Sequence, residues 1–209
     1  MYRDRQDAAR SLSRHLIGLN LEKPVILAIP RGGVVVGQEV ALQTGGDLDI
    51  VMAKKIGAPF NPEFAVGAVD VDGRVTFPPG EVRYVSEQYI HGQAAQLRRE
   101  IAVRLKALRQ GKPAKPVSGR NVFLVDDGLA TGLTALAAIN YVRTLKPSRL
   151  ILAVPVAPQD TLDLLSGHVD HTVCPLVPDS FYAVGQWYHE FGQTSDQEVK
   201  EILSSFKAQ

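Results

Sequence analysis

The sequence predicts an α/β fold: a mainly parallel, twisted sheet flanked by helices, with a small C-terminal hood. Three observations predict it. Short, largely apolar runs recur at residues 24–30, 48–53, 121–126 and 150–156. Stretches with apolar residues three and four apart lie between several of them. Glycine-rich polar turns follow the runs at 31–33 and 126–134. Strands without apolar–polar alternation are buried on both faces, as in parallel sheets with helix crossovers.

Ala8, Leu12, Leu16 and Leu19 mark a first amphipathic helix over 4–19. Residues 24–30 form a buried strand, a helix follows over 34–43, and 48–53 form the next strand. Residues 65–69 are a third strand. Asp72 and Gly73 make a hairpin turn into a short strand at 75–77, and Pro78, Pro79 and Gly80 break the pattern. Ser86 caps a long helix whose stripe is Ile90, Ala94, Leu97, Ile101, Leu105 and Leu108, and Gly111 and Pro113 stop it. A strand at 121–126 and a helix at 132–145 come next. A strand at 150–156, a short helix at 161–165, a strand at 171–174 and a last helix at 195–206 complete the chain. This divides it into a core, 1–174, and a C-terminal hood and tail, 175–209.

At 209 residues, 45% hydrophobic and 22% charged, the composition is that of one soluble globular unit. A net charge of +1 gives no signal for nucleic acid or an acidic membrane. No apolar run reaches membrane-spanning length and the polar N-terminus has no signal-peptide core. The single cysteine, Cys174, fits a reduced, cytoplasmic protein.

The chemistry concentrates at residues 122–134, Val-Phe-Leu-Val-Asp-Asp-Gly-Leu-Ala-Thr-Gly-Leu-Thr. Four apolar residues end in two carboxylates, Asp126 and Asp127, and a short loop opens a helix. A helix N-terminus offers unpaired N–H groups and a partial positive charge, so it attracts phosphate. Two acids beside a phosphate cradle suit a ligand that also offers hydroxyls or a metal. An ordinary strand-ending turn is the plain alternative.

This segment resembles the 5-phosphoribosyl 1-pyrophosphate (PRPP) motif of type I phosphoribosyltransferases. The resemblance implies that Asp126 and Asp127 bind the ribose hydroxyls and approach a metal indirectly, through those hydroxyls or water. It places the 5-phosphate on Gly128, Leu129, Ala130, Thr131, Gly132, Leu133 and Thr134. It also implies that the loop Pro30, Arg31, Gly32 and Gly33 grips pyrophosphate and carries a non-proline cis peptide. A dinucleotide turn or a plain tight turn are the alternatives; a dinucleotide site wants an acid where this chain has Lys54 and Lys55. Those lysines close the second predicted strand and complete the pyrophosphate set, a solvated basic pair being the alternative. The loops at 31–33, 54–55 and 126–134 are expected to converge on one sheet edge.

Residues 177–191 concentrate the aromatics and resemble the hood of hypoxanthine-guanine phosphoribosyltransferases, with one extra residue before Gly185. Phe181 or Tyr182 then stacks on the acceptor base; an aromatic cluster that packs the tail down is the alternative, and Trp187 and Phe191 fit that packing role even where Phe181 does not. The resemblance also implies a mobile segment near 70–85 that closes over PRPP, a surface hairpin without a role being the alternative. Two departures obscure the base. Ala130 stands where 6-oxopurine enzymes carry an acid, and residues 153–158 hold no lysine. The implied activity is Mg²⁺-dependent transfer of phosphoribose from PRPP to a nitrogenous base, a purine favoured, by a homo-oligomer, a dimer being expected. Arg31, Asp126 and Asp127 carry the catalysis in this reading. A non-catalytic PRPP- or nucleotide-sensing protein is the alternative.

Overall fold

The computed structural model describes residues 1–78, 80 and 85–206. Its main sheet has five parallel strands: β1 (Val25–Ala28), β2 (Asp47–Ile50), β6 (Asn121–Val125), β7 (Arg149–Ala153) and β8 (His171–Val173). They lie in the order β2-β1-β6-β7-β8. Three further strands, β3 (Lys54–Ala58), β4 (Asn61–Val69) and β5 (Val75–Thr76), form a separate antiparallel sheet. The helices are α1 (Arg5–Ile17), α2 (Gly32–Thr44), α3 (Glu87–Leu108), α4 (Leu133–Thr144), α5 (Gln159–Ser166) and α6 (Asp196–Ser205).

Alternate strand residues face alternate layers, so each buried strand serves two cores. Ile26, Ala28, Phe123, Val125 and Ile151 face one cluster with Leu12 and Leu16 of α1, Val36 and Val40 of α2, and Ile101 and Leu105 of α3. Val25, Leu27, Val122, Leu124, Leu150 and Leu152 face the other, with Leu136 and Ile139 of α4 and Leu165 of α5. This is why the runs read as continuously apolar. Ser86 caps α3 as predicted; Asp4 also caps α1, and Ser195 with Glu198 forms a capping box on α6.

Two differences from the sequence reading concern strands. Lys54 and Lys55 do not close the second main strand; β2 ends at Ile50 and the lysines open β3. The third predicted strand is not in the main sheet but is the long central strand of the antiparallel one. The hairpin at Asp72 and Gly73 is present. The carboxylate of Asp70 accepts bonds from the amides of Asp72 and Arg74, and Gly73 takes φ +88°. The segment expected to be mobile, 70–85, falls partly outside the described residues, at 79 and 81–84.

The tail has two destinations. Residues up to 192 pack near the carboxyl end of β6, with a 3₁₀ turn at Val184–Trp187. Helix α6 instead packs on α2 and α3 and buries Val199 in the first core cluster.

Candidate active site at the sheet switch point

Strand β1 crosses to β2 on one side and β6 crosses to β7 on the other. The crevice at their carboxyl ends is a topological switch point, where open α/β sheets bind ligands. The loop after β1 and the loop after β6 leave from it side by side, joined by the Ile29 amide donating to the Val125 carbonyl at 2.8 Å.

The two loops touch. A methyl group on Gly33 would lie 2.9 Å from the Asp126 α-carbon, and one on Gly32 would lie 2.6 Å from the Asp127 carboxyl carbon. Neither glycine has a positive φ, so the close approach explains the residue type. The peptide bond between Pro30 and Arg31 is cis, and the exposed Arg31 stands at the start of α2.

Both carboxylates are half-buried. The Asp127 amide donates to Asp126 Oδ1 at 2.8 Å. Burial pushes the Asp126 carboxyl well above the usual carboxylate range, the Asp127 charge adds to this, and Arg5 opposes it. Asp127 is held from two sides. Arg5 Nε donates to its Oδ2 at 2.7 Å, with the two side chains 13% and 14% exposed. The Tyr188 hydroxyl donates to its carbonyl at 2.5 Å. Burial, reinforced by Asp127, keeps that hydroxyl protonated and so a donor.

The loop after the acids is shaped by packing. Leu129 and Leu133 are buried, and the Leu129 amide donates to the Val156 carbonyl. That leaves Ala130 and Thr131 exposed and Thr134 half-buried. Gly132 takes φ +71° and ψ −6° at the start of α4, whose first turn has no side-chain cap. Its amides therefore remain available to an anion. The Thr161 hydroxyl donates to the Ala130 carbonyl and ties the loop to α5. Gly128 lies against Val184 and Val156, where a methyl group would come within 2.6 Å.

Next to this loop is an open cleft of about 980 Å³. Ala130, Thr131 and Thr161 line one side, and Phe181 and Tyr182 line another. Phe181 stacks on Trp187, with centroids 6.3 Å apart, whereas Tyr182 is 89% exposed. The structure thus brings 30–33, 126–134 and 181–182 around one region. The lysines stand apart from this contact set: Lys54 pairs with Glu100 of α3 at 2.5 Å, and Lys55 is exposed.

Sequence reasoning missed Arg5 and Tyr188. The sequence marks the first helix only by its apolar stripe, yet Arg5 reaches Asp127 across 122 positions. No local pattern signals such a pair. Phe191 was read as tail packing and does more: its ring lies 4.0 Å below the Arg5 guanidinium and stacks on Tyr188.

Among the described residues no group of three or more His, Cys, Asp or Glu side chains could hold a metal by itself. No helix there is long and apolar enough to cross a membrane.

The chain matches the phosphoribosyl transferase domain model over residues 1–191. A Mycobacterium tuberculosis (strain H37Rv) protein, provisionally named a phosphoribosyl transferase, is 38% identical over 97% of this chain and 46% of its own length. The chain thus spans just under half of that curated relative. The bifunctional protein PyrR of Chloroflexus aurantiacus is 30% identical over 64% of this chain and 71% of its own. The crystal structure of TT1426 from Thermus thermophilus superposes with a TM-score of 0.84, at 42% identity over 97% of both chains. The domain match over nearly the whole chain, the shared fold and the acid-and-cradle loop after β6 together make this chain a member of the type I phosphoribosyltransferase family.

Proposed function

We propose that the protein transfers 5-phosphoribose from PRPP to a nitrogenous base, a purine favoured, and releases pyrophosphate. One observation carries the reading. The acidic pair, the glycine loop beside it and the uncapped start of α4 occupy a single crevice, so ribose, pyrophosphate and 5-phosphate have adjacent partners.

The reaction breaks the bond between C1 of the ribose and the pyrophosphate oxygen while a base nitrogen bonds to C1. Positive charge develops on the ribose and negative charge on the leaving group. Positioning and electrostatic stabilisation are then the protein's task. The amides of 130–134 and the hydroxyls of Thr131 and Thr134 hold the 5-phosphate, the Leu129 amide being bonded to the Val156 carbonyl. Asp126 and Asp127 accept from the ribose hydroxyls and favour the developing cation. Arg31 and the backbone at Gly32 and Gly33 receive pyrophosphate, with Lys54 joining them if it leaves Glu100. Phe181, already stacked on Trp187, is a preformed platform for the base, and the exposed ring of Tyr182 is free to cover it.

Two neighbouring carboxylates cannot hold Mg²⁺ alone, but they suit an ion that keeps several waters and rides on substrate oxygens. Such an ion would offset pyrophosphate charge as the bond breaks.

The test is a panel of purine and pyrimidine bases incubated with PRPP and Mg²⁺, read by pyrophosphate release and nucleotide formation. Base-dependent release supports the proposal. Tight PRPP binding with no transfer to any base would favour the sensing reading instead.

A further inference from the structure

We propose that Arg5 is a positioning residue for Asp127, so that the first helix and the chain segment at 188–192 together aim the ribose-binding carboxylate. The inference rests on the PRPP reading of the crevice.

Four contacts close a ring. Arg5 Nε donates to Asp127 Oδ2 at 2.7 Å. The guanidinium lies 4.0 Å above the Phe191 ring. Phe191 stacks on Tyr188, with centroids 4.9 Å apart. Tyr188 returns to Asp127 through its hydroxyl and the Asp127 carbonyl. Asp127 is therefore gripped at both side chain and backbone by one cluster. Arg5 Nη1 adds a bond to the Gly192 carbonyl at 2.7 Å. The planar guanidinium meets the carboxylate and the carbonyl through donors in its plane while its face lies on the ring, an arrangement that the compact, strongly hydrated ammonium of lysine does not reproduce.

The first helix does not need Arg5 to stay in place. Ala8, Ala9, Leu12 and Leu16 are buried. The Tyr2 amide donates to the Trp187 carbonyl, and the amides of His189 and Glu190 donate to the carbonyls of Tyr2 and Arg3. The Tyr2 hydroxyl donates to the Pro155 carbonyl. With the segment so anchored, the Arg5 side chain is directed wholly at the acid and its clamp. The consequence for the ligand is geometric. Asp127 Oδ2 is covered by Arg5 and by Gly32, and Asp126 Oδ1 accepts from the Asp127 amide. The ribose hydroxyls then meet Asp127 Oδ1 and Asp126 Oδ2, in an orientation that a freely rotating Asp127 would lose.

The test is a double-mutant cycle on the full chain, with PRPP affinity in Mg²⁺ measured by calorimetry beside a thermal melt. Arg5→Gln should weaken PRPP tenfold or more. Asp127→Asn should weaken it too, and the double variant should lose no more than Asp127→Asn alone, because Arg5 acts through that carboxylate. Phe191→Leu, which leaves both charges in place, should give a smaller loss. Arg3→Gln, on the same segment but paired with Asp4, should bind as wild type. Wild-type affinity in both Arg5→Gln and Phe191→Leu would overturn the inference, as would losses that multiply in the double variant or an equal loss in Arg3→Gln. Absence of PRPP binding by the wild-type protein would overturn the site reading itself, and the inference with it.

Discussion

Gly32 and Asp127 lie so close that a methyl group on the glycine would stand 1.9 Å from the carboxylate oxygen Oδ2 and 2.7 Å from Arg5 Nε. The loop after β1 and the acid after β6 are therefore one packed unit. Gly32→Ala should push out either the loop or the ion pair. Overpacking of this kind costs about 1–3 kcal/mol. The expected result is a lower melting temperature with PRPP affinity reduced at least tenfold. A variant with unchanged PRPP affinity would show that the loop can shift without disturbing the ligand.

Asp126 sets function against stability. Its carboxyl is pushed up by burial and by the neighbouring Asp127 charge. A group whose proton is held more tightly in the folded state destabilises that state wherever the unfolded chain has already released the proton. The penalty is present above the ordinary carboxylate range and vanishes below it. Asp126→Asn should therefore raise the melting temperature near neutral pH, by about 2–4 °C for a gain on the order of 1 kcal/mol, and should abolish PRPP binding. The gain should disappear in acid. Equal shifts at both pH values would remove the charge from the explanation.

Gly132 combines a left-handed backbone with a near contact to Thr161 Cγ2, 2.8 Å from any added methyl group. Gly132→Val should open the turn and displace the start of α4. Each charge-assisted bond lost to the 5-phosphate should cost about 1.5–3 kcal/mol. Ribose 5-phosphate titration reads this directly, and wild-type affinity would rule out the cradle.

Phe181 and Tyr182 should separate cleanly. Removing a base–aromatic stack costs about 1–3 kcal/mol in comparable nucleic-acid sites. Phe181→Ala should weaken nucleoside monophosphate, spare PRPP and lower the melting temperature, since it also strips the face of Trp187. Tyr182→Ala should leave the melt unchanged and affect only the acceptor side. Equal losses for both ligands would make the pair simple packing.

The parts legible in the sequence were those whose cause is local. The central strands β1, β6 and β7 are buried on both faces, so composition alone marks them. The segment at 122–134 keeps its strand, acids, turn and helix start within 13 consecutive residues. Ser86 and Ser195 announce their helices from one turn away. The small antiparallel sheet was harder, because Lys54 follows β2 so closely that the end of one strand and the start of another read as a single run. The Arg5 contact was invisible for a different reason. It depends on the path of the whole sheet, and an arginine near an N-terminus ordinarily reads as solvated charge.

The parallel hydrogen bonds that Tyr2 and Arg3 make to residues 187–190 have a practical edge. They make the first few residues a handle on the crevice beside Asp127. A purification tag ahead of Met1, or a protease that trims the leading residues, would pull on the same clasp that steadies Tyr188 and, through it, Asp127. Under the proposed activity, a tagged preparation should then turn over more slowly than an untagged one, and a preparation trimmed past Tyr2 should also melt lower, because that residue is buried and bonded to Trp187, His189 and Pro155.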